Sequence, residues 1–149
     1  MSNLFNSIFE TSLRVLLTLY VHEKEMSLDR IVAIDFITIY AADFNIVQNN
    51  LHGINEFSFS QYSFRRDTIA EAIKTLLICE EINLQTNSDG FVYNITDKGA
   101  SVCDEMTTEY AAEYINLSYK VKSALADKTT NEIIEIINSK ASTPKGRRH

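Results

Sequence analysis

The chain has 149 residues, 45% of them hydrophobic, with one proline, four glycines and a net charge of −6. That length suits one domain with extensions, and the apolar share is enough for a proper core. So few chain breakers argue for long helices and against an all-β or disordered chain. Residues 1–139 hold ten Lys/Arg against twenty Asp/Glu, a net of −10, which is a poor match for a phosphate backbone. The last ten residues add Lys140, Lys145, Arg147 and Arg148. Cys79 and Cys103 are too few for a disulfide framework, and both are expected as buried thiols of a reducing compartment. No leader pattern opens the chain, and runs such as Val15-Leu16-Leu17 are too short to span a membrane, so the cytoplasm is the expected location.

The first helix is expected over residues 4–23, capped at Asn6 or Ser7 with Glu10 at capping-box spacing. Ile8, Phe9, Leu13, Leu16, Leu17 and Tyr20 make a wide stripe, which Val15, Leu19 and Val21 carry almost around the helix. A helix this apolar is buried on several sides, and a partner chain is one candidate cover. His22-Glu23-Lys24-Glu25 breaks it. Ser27 then caps a second helix over about residues 28–42, which is again apolar except for Asp35. A lone carboxylate in that run is costly unless paired, and Arg14, the long cation in the middle of the first helix, is its expected partner. A structural ion pair is favoured over a catalytic acid.

Residues 43–65 read as a long connector rich in Asn, Ser and aromatics, including Phe57, Phe59 and Tyr62. These rings either fold back on the core or present a docking surface. Phe57-Ser58-Phe59-Ser60 alternates as a short edge strand would. From Thr68 to Ile82 the apolar positions Ile69, Ala70, Ile73, Leu76, Leu77 and Ile82 have helical spacing. The period then changes to alternation through Leu84, Thr86, Phe91, Tyr93 and Ile95, with Asn87-Ser88-Asp89-Gly90 as the turn of a hairpin. Thr96 caps the next helix, and Gly99 lets that helix approach a neighbour closely.

Helices are expected at residues 97–106, at 109–126 and, behind a Thr129–Glu132 capping box, at 130–139. Asp104, Glu105, Glu109 and Glu113 form an acidic patch that is either a solvated face or a dock for a basic partner. Together with Phe5, Phe9, Phe57, Phe59 and Tyr62 they make the candidate partner-binding set. The expected fold is mainly α with a small β-hairpin, a winged-helix-like core with extra C-terminal helices. Residues 1–139 form one domain, and residues 140–149 a basic, disordered tail.

No phosphate-cradling glycine loop, metal-ligand spacing or nucleophile motif occurs, so no catalytic, metal or cofactor residue is expected. A winged-helix outline also raises a DNA-binding transcription regulator as the alternative. However, residues 65–81 carry three cations against four anions, and the hairpin tip has none.

An ordered set of motifs adds to this. It comprises Phe5-Asn6-Ser7, Glu10, Leu13-Arg14, Leu16-Leu17, Leu28-Asp29, Ile31-Val32, Asp35-Phe36, Asp43, Leu51-His52, Arg65-Arg66, Glu81-Ile82 and Gly90-x-x-Tyr93-x-x-Thr96. Over residues 4–125 the set resembles the middle component of bacterial ABC-three-component systems, the Lamassu-type anti-phage defence operons. The chain departs from the pattern at His52-Gly53-Ile54-Asn55, where relatives tend to carry prolines. The resemblance implies a non-catalytic adaptor that joins an SMC/Rad50-like ABC ATPase to an effector, often a nuclease. It also implies that any nucleotide or magnesium belongs to the partner, and that DNA is met only through the complex.

Overall fold

The computed structural model describes residues 7–48, 59–88 and 90–142. Helix α1 (Ile8–His22) begins at Ser7, whose hydroxyl accepts from the Glu10 amide at 3.1 Å. Helix α2 (Leu28–Ile39) begins at Ser27, which accepts from the Arg30 amide. A 3₁₀ turn (Ala41–Phe44) follows. Helix α3 (Phe59–Ile78) leads into strands β1 (Ile82–Asn87) and β2 (Gly90–Ile95), then α4 (Asp97–Asp104), α5 (Glu109–Ala124) and α6 (Thr130–Ser142).

The molecule is therefore mainly helical with a two-stranded antiparallel hairpin. The strand register pairs Ile82 with Ile95, Leu84 with Tyr93 and Thr86 with Phe91, so these six side chains share one face. Met26, between α1 and α2, adds a bridge to the far side of β2 through two backbone hydrogen bonds with Tyr93, at 3.0 and 2.8 Å. The base of the hairpin is strapped to the end of α3. There the Thr96 hydroxyl donates to the Glu80 carbonyl at 2.8 Å and accepts from the Gly99 amide at 3.0 Å. A Cβ on Gly99 would stand 2.2 Å from the Glu81 carbonyl oxygen, so only glycine permits this approach of α4.

Helices α1 and α2 form the centre. α1 packs on α2, α3, α4 and α5, while α2 packs on α1, α3, α5 and α6. Residues 31–41 are buried without a break. Val121, Leu125, Ile133 and Ile137 of the C-terminal helices join the same core. Most of the apolar excess of the leading helices is thus covered from within the chain, the exceptions being Ile8 and Phe9 at the start of α1. The α6 cap is reciprocal: the Glu132 amide donates to the Thr129 hydroxyl at 3.1 Å, and the Thr129 amide donates to the Glu132 carboxylate at 2.8 Å.

Four sequence expectations change. The first helix was expected from residue 4, but its described part starts at Ile8. Phe59 and Ser60 open α3 instead of forming an edge strand. α6 runs to Ser142, so residues 140–142 are helical and not tail. Cys103 is buried, but Cys79, at the end of α3, is exposed.

Candidate functional site

Two regions concentrate the side chains that sequence reasoning singled out. The first is a buried polar knot between α1, α2 and α5. Arg14 Nε donates to Asp35 Oδ1 at 2.9 Å, Arg14 Nη2 lies 3.5 Å from Oδ2, and both side chains are sealed from solvent. Tyr114 donates its hydroxyl proton to Asp35 Oδ1 at 2.7 Å, and Tyr110 accepts from Arg14 Nη1 at 3.3 Å. The Thr18 hydroxyl lies 2.9 Å from Tyr114 Oη and 2.8 Å from the Arg14 carbonyl oxygen. Burial alone would raise the Asp35 carboxyl, but the charges of Arg14 and Arg65 and the two hydrogen bonds outweigh it and hold it below the usual range. The Tyr114 hydroxyl is pushed well above its usual value by burial and by Asp35. With an ionised acid, a fixed cation and no free space around them, this knot holds three helices in register.

Arg65 opens the cation-poor stretch 65–81 that would serve as a recognition helix in the DNA-binding alternative. It is buried, its guanidinium 5.6 Å over the Tyr40 ring and Nη2 within 3.4 Å of the Tyr40 hydroxyl. The other cations of that helix are also engaged: Arg66 pairs with Asp29 at 2.8 Å, and Lys74 with Glu71 at 3.3 Å. The exposed hairpin positions Asn83, Leu84, Gln85, Thr86, Asn87 and Ser88 include no cation.

The second region is the surface. Phe9 on α1 is 75% exposed and Phe64 on α3 is 59% exposed. On the hairpin, Leu84 and Phe91 occupy diagonal positions on the shared face. Ile82 at the base of that face is buried, whereas Leu84 (45% exposed) and Phe91 (63%) overhang the body. Asp104, Glu105, Glu109 and Glu113 are exposed on either side of the turn between α4 and α5. Asp104 also accepts the Tyr20 hydroxyl, a bond that pushes that phenol up to about 12. Tyr62 is half-buried, with its ring edge-on to Phe36 at 5.2 Å, so part of it packs on the core. Phe5 and Phe57 lie outside the described residues, as does the Phe59 side chain. Sequence reasoning missed the overhang, because alternation in a hairpin suggests a covered face and gives no measure of how far the body extends beneath it.

The knot joins the opening motifs around Leu13-Arg14 to Asp35 and extends to α5, beyond the part of the chain in which ordered motifs are densest. A family described as ABC-three component (ABC-3C) system Middle Component 2 matches residues 4–147. The chain belongs to that family. The match takes in α1 to α6 and all the residues of the knot. Comparison of the middle component with curated proteins gave no match, and comparison with solved structures gave none either. Membership makes it a subunit of an ABC-three-component system and implies that it works in a complex with the other components. Among the described residues, no three His, Cys, Asp or Glu side chains converge to hold a metal ion. No described helix is long and apolar enough to cross a membrane.

Proposed function

We propose that the protein is a non-catalytic adaptor of an anti-phage defence complex of Lamassu type, acting in the cytoplasm. It has a winged-helix-like core, formed by α1 to α3 and the hairpin, on which α4 to α6 pack. Its partners are an SMC/Rad50-like ABC ATPase and an effector subunit. Family membership carries the reading. The surface supports it: one face of the hairpin carries the exposed apolar pair Leu84 and Phe91, an anchor suited to a protein. The cations of α3 are either buried or held in ion pairs, which disfavours a regulator that grips DNA through this helix. Phe9, Phe64 and the four acids at the α4–α5 turn are the other contact candidates. DNA is reached through the assembly, and nucleotide chemistry belongs to the ATPase.

The test is co-expression with the neighbouring operon products and purification through a tag on one of them. An ATPase of SMC type and the effector should co-purify, and Leu84→Asp with Phe91→Asp should release one of them while leaving thermal unfolding unchanged. A chain that purifies alone from the intact operon would end the proposal.

A further inference from the structure

A cavity at the junction of α1, α2 and α5 gathers positive charge in a chain that is acidic as a whole. It has a volume of about 110 Å³, several times what a single water needs, and it opens partly to solvent. His22, Lys24, Arg30 and Lys122 line it over an apolar floor that includes Ile34 and Leu125, and no acid lines it. Lys24, Arg30 and Lys122 are three of the ten Lys/Arg in residues 1–139. None of the three has a carboxylate partner among the described residues.

The polar atoms are fixed yet incompletely used. Arg30 donates from Nη1 to the Thr130 hydroxyl and from Nη2 to the Lys128 carbonyl, both at 3.2 Å, and its buried Nε has no acceptor among the described residues. Lys122 spends one proton on the Val21 carbonyl at 3.0 Å and keeps two. The His22 ring is 92% buried, and its Nδ1 lies 3.0 Å from the Thr18 carbonyl oxygen. A carbonyl only accepts, so Nδ1 carries the proton, and in the neutral ring Nε2 presents a bare lone pair. That Nε2 is buried and has no partner. Converging cations and an orphaned acceptor each cost stability unless something fills the space.

We propose that this cavity is a binding site for hydrogen phosphate as the free ion, since a monoester end is mostly the unprotonated dianion near neutral pH. Its unprotonated oxygens accept from Arg30, Lys24 and Lys122, and one proton sits between a phosphate oxygen and His22 Nε2. An oxyanion without a proton, such as sulfate, would turn a lone pair toward Nε2 and lose that bond. The site therefore distinguishes the two ions by proton content and not by charge or shape.

The test is an NMR titration of the full chain near neutral pH, with histidine-labelled protein and matched ionic strength. Sodium phosphate should shift the His22 ring resonances saturably, and sodium sulfate should bind about tenfold more weakly or worse. Lys24→Ala, at an exposed position, should weaken phosphate binding several-fold without altering the fold, and Lys122→Met should do the same. Adenosine monophosphate is the second arm: its phosphate is mostly the unprotonated dianion at this pH, so it should bind as weakly as sulfate, and phosphate-like affinity for it would overturn the assignment. Phosphate shifts that do not saturate, equal affinity for sulfate, or an unchanged affinity in Lys24→Ala would each overturn the assignment.

Discussion

Replacing Asp35 with Asn keeps the shape of the side chain and removes its charge. Arg14 and Arg65 then share a dry core without the carboxylate that faces them, and Arg14 loses a 2.9 Å charged hydrogen bond. Removing one member of a buried pair costs about 3–5 kcal/mol. A domain of this size has a total stability of roughly 5–15 kcal/mol, so the change consumes about a fifth of it or more. At roughly 2–4 °C per kcal/mol, the melting temperature should fall by about 12 °C. The assay is urea unfolding of the parent, Asp35→Asn, Arg14→Met and the double variant Arg14→Met with Asp35→Leu. The double variant removes both paired charges and should recover part of the loss, while Arg65 and the Tyr114 hydroxyl, still lacking Asp35, keep it below the parent. The pH dependence has a defined sign. A carboxyl held below its unfolded value of about 3.9 stabilises the fold above that pH and ceases to do so as pH falls through its folded value. The gap between parent and Asp35→Asn should therefore be flat from neutral pH to about pH 5 and should close below about pH 4. Single variants whose costs simply add, or an Asp35→Asn chain as stable as the parent, would refute the idea that the knot acts as a unit.

Gly99→Ala should destabilise by about 1–3 kcal/mol in the same assay, since the added carbon meets a backbone oxygen that cannot step aside. Thiol titration of the folded chain should modify Cys79 promptly and Cys103 only on unfolding, because burial pushes the Cys103 thiol up to about 12. The His22 ring is pushed down from 6.5 to about 4 by burial, with the charges of Lys122, Arg30 and Lys24 adding to it against the bond to the Thr18 carbonyl. Between these values the unfolded chain binds a proton that the folded chain refuses, so stability falls as pH drops. In phosphate-free buffer, the loss between pH 7 and pH 5 should be about 2 kcal/mol smaller in His22→Gln than in the parent. Equal losses would remove His22 as its source.

Much of the scaffold could be read from single residues. Ser7, Ser27, Thr96 and Thr129 are caps because a short hydroxyl before an apolar run has little else to do, and each does cap. The Arg14–Asp35 pair was legible because each is a lone charge inside an apolar helix. The start of α3 was not, because Phe59 to Arg65 lacks a one-sided stripe. Arg65 turns inward onto Tyr40 while Phe64 turns outward, which inverts the usual pattern. The burial of α1 and α2 was legible, but its cause was not: sequence shows that a face needs cover, not which element supplies it. The cationic cavity left no trace at all, since Lys122 reaches the carbonyl of Val21 across 101 positions.

The hydroxyl that completes the coordination of Asp35 arrives 79 positions later, on α5. During synthesis the first two helices leave the ribosome with an unshielded carboxylate and guanidinium, and they stay wet until Tyr110 and Tyr114 emerge. Truncation before Glu109 should therefore leave that pair without its two phenols and the faces of α1 and α2 that pack on α5 without their cover.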